Sequence, residues 1–301
     1  MSRSRNANRL AKRLCRQTTL KQSTASRLAK QVRVYLGSPV PDASASHQRR
    51  LEAHITHVLA DGFQDRQLNG ALFGVREVRA TAQHLELVLE SAMADEVVHE
   101  LLPRFDEHYG GIRGVAGLRV QLSSRAIVLG DALSSARIAV TRTDGQAWRL
   151  PTARDGETLL GDTRGLSPEE RLEADEWAES IPSFADVPLR DLLLSRLLRR
   201  PALVNRAAEP HGFANCYTHH SGDLVIEWCC GDTVEALCAT LLAHGFIDGV
   251  PPSDAVELAS PQSILLGGDI VILRRHSTCL YGRSPFGVQE INEYIREGYE
   301  S

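Results

Sequence analysis

Metal or nucleophile chemistry has few places to reside in this chain. The densest group of ligating residue types is CYTHHSGDLVIEWCC, where Cys216, His219 and His220 precede Cys229 and Cys230. Zinc accepts thiolate and imidazole donors, and two facing strands could gather such a set across a tight turn. Yet no CxxC pair is present, and alternation along a strand sends Cys229 and Cys230 to opposite faces. Buried thiols and turn histidines are the simpler reading, so no cofactor is expected.

Other candidates are thinner. His54, His57 and Asp61 recur at i, i+3 and i+7, which places them on one helix face. Without a fourth ligand, that stripe reads as a solvated helix flank. GGIRGVAG (Gly110 to Gly117) follows a helix and leads into a strand, the reverse of a phosphate loop, so it reads as a helix stop and connector. Glu227 with Asp223 or Asp269 could form an acid/base pair only if the fold brings them together. The chain contains three lysines, none beyond Lys30, so the rest has no lysine for a Schiff base or a phosphate loop. GxSxG and HExxH are absent as well. An enzyme is therefore not the expectation, and a metal- or thiol-dependent enzyme of the C-terminal third is the last of three readings.

Charge is more informative. The net charge of -4 hides an asymmetry. Residues 1–33 hold ten Lys or Arg and no acid, leaving 24 basic against 38 acidic groups in the remainder. An acid-free basic arm on an acidic body is a common footprint of nucleic-acid contact. Within that arm, LKQSTASRLAKQVR places Gln22, Ser23, Ser26 and Arg27 outward, with Ala25, Leu28, Ala29 and Val32 inward. Together with Leu14, Cys15 and Leu20, residues 10–33 resemble a helix-turn-helix segment. That resemblance implies DNA contact through Arg13, Arg16, Lys21, Gln22, Ser23, Ser26, Arg27 and Lys30.

Three uses of the arm stay open: nucleic-acid binding, docking as a helix pair on the acidic body, or targeting to an organelle. The favoured reading is an accessory or regulatory DNA-binding protein whose body dimerises or binds a partner. The alternative is a protein-interaction or inhibitory subunit with no nucleic-acid role. Arginine replacing lysine suggests a GC-rich, bacterial source, and the absence of a signal or long apolar run suggests a cytoplasmic protein without membrane contact.

The elements that must position these residues read as α+β. A small basic helical head (1–36, helices near 7–16 and 22–35) precedes a linker over 37–46, rich in proline and small polar residues. An α+β domain follows over 47–150. It holds a helix from His47 to Gly62, a strand HLELVLE with Leu85, Leu87 and Leu89 on one face, and a helix over ADEVVHELLPRFDEHYGG, with Phe105 inward, that Pro103 should kink or end early. Strands near Leu118–Leu122 and Ala126–Leu129 lead to a hairpin, ARIAVTRT-DG-QAWRLPT. A helical connector (166–200) opens on the capping box SPEE and continues in PLRDLLLSRLLRR, whose leucines need burial on more than one side. The C-terminal α+β domain (201–301) has strands near Asn215–His219 and Leu224–Cys229. A helix capped by Asp232 and Glu235 comes next, then a hairpin around Gly267–Gly268 and a helix from Pro285. No repeat of fixed period relates the halves.

Overall fold

A computed structural model describes residues 3–18, 21–31, 40–63, 72–123, 125–160, 165–179, 187–205, 214–218, 224–228, 231–247, 256–260, 263–266 and 271–275. The head contains α1 (Arg3–Thr18) and α2 (Gln22–Gln31). Then come α3 (Ser46–Gly62), β1 (Val75–Ala80), β2 (Leu85–Leu89), α4 (Ser91–Leu101), β3 (Arg104–Asp106) and β4 (Gly111–Arg113). β5 (Leu118–Leu122), β6 (Ile127–Asp131), β7 (Arg137–Arg142) and β8 (Glu157–Leu159) complete the first α+β unit. The connector supplies α5 (Pro168–Glu179) and α6 (Val187–Arg199). The second unit is α7 (Ala202–Asn205), β9 (Ala214–Thr218), β10 (Leu224–Trp228), α8 (Val234–Ala243), β11 (Val256–Ser260), β12 (Ser263–Leu266) and β13 (Val271–Arg275).

The two units are built alike. The first sheet has the order β1-β2-β7-β6-β5, the second β9-β10-β13-β12-β11 read from its other edge. In each, the first two strands are antiparallel, the second pairs parallel with the last, and the last three form a meander. Each unit is preceded by a helix, α3 or α6, and carries a second helix, α4 or α8, after its second strand. The helices pair across the join: α3 packs on α6, α3 reaches β9, and α6 reaches β1. Such reciprocity is what a pseudo-twofold axis between α3 and α6 produces. The repeat lies in strand order and direction, and the first unit interrupts it with β3 and β4, so a search for fixed spacing misses it. One apolar cluster runs through both units, including Ile55, Leu87 and Val140 from the first and Ile226, Leu237 and Leu273 from the second.

Helix α3 buries two stripes. Leu51, Ile55 and Leu59 supply the apolar one that periodicity predicts. Gln48, Glu52 and Thr56 form a buried polar stripe against α6. Glu52 has no exposed surface and takes a two-pronged bond from equally buried Arg199, Nε to Oε2 and Nη2 to Oε1, both 2.7 Å. Ser195 Oγ donates to Glu52 Oε2 (2.5 Å) and Gln48 Nε2 to Oε1 (3.0 Å). Thr56 Oγ1 donates to the Leu194 carbonyl (3.0 Å). The leucines of α6 are buried along with the arginines, as a helix apolar on several sides requires.

Several expectations need correction. The Asp-Gly turn forms, with Gly145 at φ 66° and its N–H on the Arg142 carbonyl, but residues 146–152 make no strand. β2 and β6 already occupy both edges of β7, so a returning strand has nowhere to pair. Pro103 ends α4 as expected, and the residues beyond it, including Phe105, enter a strand instead of continuing the helix. The cap of α8 is Thr233, whose hydroxyl accepts from the Ala236 N–H, while Asp232 gives its carbonyl to Trp228 Nε1. The SPEE box forms as read: Ser167 Oγ accepts from Glu170 N–H, and Glu170 Oε2 from Ser167 N–H. The Gly267–Gly268 turn and the helix from Pro285 lie outside the described residues.

The expected linker is held down where it is described. Val40 and Ala43 are buried. Asp42 accepts from Arg196 Nη2 (2.8 Å) and Arg200 Nη2 (2.6 Å), and these guanidiniums hold its carboxyl below the usual range despite burial that pushes the other way. Arg200 also donates to the Val40 carbonyl and Arg199 Nη1 to that of Pro41. Composition alone cannot show that three arginines over a hundred and fifty residues away supply donors to this segment, two of them to its backbone.

Removing one partner of the central pair strands a buried charge, which costs about 3–5 kcal/mol. Glu52→Gln and Arg199→Met should each lower the unfolding free energy obtained from urea titration by that order. A double-mutant cycle on Glu52 and Arg199 should return a coupling energy of more than about 1 kcal/mol.

Candidate functional site

The helix pair of the head closes on Ala11, Leu14, Ala25 and Ala29, and this small cluster includes Val40 and touches Ala80 at the end of β1. Thr18 is buried too, its hydroxyl donating to the Leu14 carbonyl (2.8 Å). The body thus supplies the third wall that two helices alone lack: Val40 and Ala80 join the cluster, and α1 also packs against α7. Opposite that buried face, Arg9, Lys12 and Arg16 are exposed on α1. Spacings of three and four residues put them in one stripe about 10 Å long. Among the described residues, none of the three pairs with a carboxylate.

On α2, Lys21 precedes the first turn and is exposed, as are Gln22 and Ser23. Ser26 and Arg13 are half-buried, and the side chains of Arg27 and Lys30 lie outside what is described. Gln22 leans toward its neighbours: Cys15 Sγ donates to its Oε1 and its Nε2 reaches Ser26 Oγ, both at 3.4 Å. Hydroxyl, amide and ammonium groups thus gather at the start of α2, where free backbone N–H groups favour an anion.

The histidine stripe is not a solvated flank. His54 is buried and stacks on Trp177 of α5 at 4.5 Å and 5°, His57 is tilted on the same ring at 4.7 Å, and only Asp61 is exposed. The Arg190 guanidinium also lies over this indole, 4.0 Å from its centre, and donates to the Trp177 carbonyl. Around them a cleft of 180 Å³ takes Glu173 from α5, Glu100 from α4, and Tyr109 and Arg113 from the β3–β4 insertion. Burial, with His57, Arg190 and Arg50 nearby, holds His54 well below the ordinary imidazole value. Burial and Arg190 bring His57 down to about 4. Imidazoles that stay neutral so far below pH 7 make weak general bases. Among the described residues no group of three His, Cys, Asp or Glu is placed to hold a metal. The arrangement is an aromatic stack tying α3 to α5. No sequence signal links Trp177 to histidines some 120 positions earlier.

Of the cysteine–histidine set, Cys216 is described: it is buried in β9, and burial next to Glu227 pushes its thiol up, away from the thiolate a metal needs. His219, His220, Cys229 and Cys230 lie outside the described residues, as do Asp223 and Asp269. Glu227 is buried and bonded by Arg274 Nη1 at 2.9 Å. The Gly110–Gly117 segment carries positive φ at Gly110, Gly114 and Gly117. A Cβ on Gly114 would meet the Leu102 carbonyl oxygen at 2.2 Å, so the segment serves close packing on the end of α4. Compared with known protein families, curated proteins and solved structures, the chain matches no family model, no curated protein and no solved structure.

The stack has a pH signature. The unfolded chain protonates His57 near 6.5, whereas the folded chain resists until about 4. Folding stability should therefore be complete above pH 6.5 and fall as the pH drops toward 4, by about 3 kcal/mol for this residue. Urea midpoints of wild type and His57→Gln across pH 4 to 7.5 check this, with a flatter profile expected in the variant.

Proposed function

We propose that the protein binds nucleic acid, DNA in the first place, through α1 and α2, and that the body fixes the position of this head and offers surface to a partner or second copy. The observation that carries this reading is a contrast between the buried and half-buried arginines of the body and the exposed cations of α1. Arg104, Arg119, Arg190, Arg199 and Arg200 of the body each have a carboxylate partner within 3.0 Å. Arg9, Lys12 and Arg16 stand in solvent as a stripe. Had the head evolved to neutralise the acidic body, its cations would face the body's carboxylates. Its described contacts with the body are instead Val40, Ala80 and the apolar helix α7. A cationic stripe held on a fixed helix suits phosphate, which contributes affinity with little sequence dependence. Exposed Gln22 and Ser23 at the start of the second helix suit base edges or further phosphates.

The test uses the full chain, because the head leans on the body. Fluorescence anisotropy with duplex DNA should give an affinity falling linearly with the logarithm of salt. Arg9, Lys12 and Arg16 changed together to Gln should reduce the slope by about 2 to 3. Absence of binding at about 20 mM salt, below the range where screening dominates, would remove the reading.

A further inference from the structure

The outer face of the first sheet carries a second charged surface. Val78, Leu87 and Val140 turn into the core, so Glu77, Arg79, Glu86, Val88 and Thr141 point the other way. They floor a groove of 770 Å³ whose rim includes Lys21 at the start of α2 and Arg125 in the turn between β5 and β6. The floor is neutralised internally. Arg79 binds Glu77 and Glu86 at 2.7 Å each, and Arg76 binds Glu90 at 2.5 Å. Arg142 binds Asp95 at 2.8 Å. Lys21 and Arg125 remain, both exposed, and among the described residues neither pairs with a carboxylate.

We propose that this groove is a second nucleic-acid contact, with Lys21 and Arg125 on its rim each taking a backbone phosphate. The inference rests on the head reading above and extends it from the helix pair to the sheet. Three observations favour a polyanion as occupant. The excess charge on the rim is positive, the carboxylates of the floor are already engaged, and one rim residue, Lys21, directly precedes the helix argued to meet nucleic acid. Among the described residues no aromatic ring lines the groove, which favours contact to the backbone over base stacking.

The experiment measures full-length protein on two duplexes of unrelated sequence between about 50 and 200 mM salt. Arg125→Ala should weaken both about equally and lower the salt slope by about 1, Arg125→Lys should restore most of it, and Arg154→Ala, outside the groove, should change nothing. Thermal melts of each variant confirm an intact fold. If Arg125→Ala equals wild type while the α1 triple variant is weakened, the groove proposal fails and the head reading stands. If wild type does not bind, both fail. If Arg125→Ala weakens one duplex only, the residue reads sequence, and the backbone assignment is wrong.

Discussion

A carboxylate and a guanidinium without exposed surface, Glu52 and Arg199, are the constraint on which the remaining structure depends. Burying two ions is costly, and their attraction offsets the cost only when every other polar group on them is also bonded. That condition dictates much of what surrounds them. Arg199 uses Nε and Nη2 on Glu52 and divides Nη1 between the carbonyls of Pro41 and Thr81. Glu52 fills its remaining capacity with Gln48 and Ser195. One ion pair thereby fixes α3 to α6, the first sheet to both, and the approach to the head. With α3 and α6 locked, the two units share a core instead of hanging on a hinge.

The same residue type does opposite work at the two ends of the molecule. In α6, arginines lie inside and give their donors to buried carbonyls and carboxylates, a use suited to the planar, multi-donor guanidinium. On α1, Arg9 and Arg16 stand outside with Lys12. Net charge alone conceals this division, since -4 is an unremarkable total. Placement separates structural cations from those available to a ligand.

Much of this was legible in the chain, and the failures have physical causes. α3, α5, α6, the SPEE cap and the alternating Leu85–Leu87–Leu89 strand follow from periodicity and local hydrogen bonding, which short stretches encode. The hairpin after β7 failed because a good turn cannot supply a free strand edge. The histidine flank failed because its burial depends on Trp177, brought in by a distant helix. The linker failed for a similar reason, since Asp42 and Val40 become structural only when α6 arrives. Of the residues placed outward by helix spacing, Gln22 and Ser23 are exposed and Ser26 is half-buried. The groove with Arg125 was invisible, because a sheet face assembles from strands far apart in sequence.

Strand order has a consequence for how the chain is made. In each five-stranded sheet the last-synthesised strand, β7 or β13, lies third in order and joins the opening β-pair to the meander. On a ribosome, neither sheet can assemble until its final strand has emerged, and β2 and β10 expose an unsatisfied edge meanwhile. The first unit then waits again, because Glu52 lacks its counter-ion until α6 leaves the exit tunnel. Contacts of such long range predict slow maturation and an interval in which a nascent-chain chaperone has something to hold.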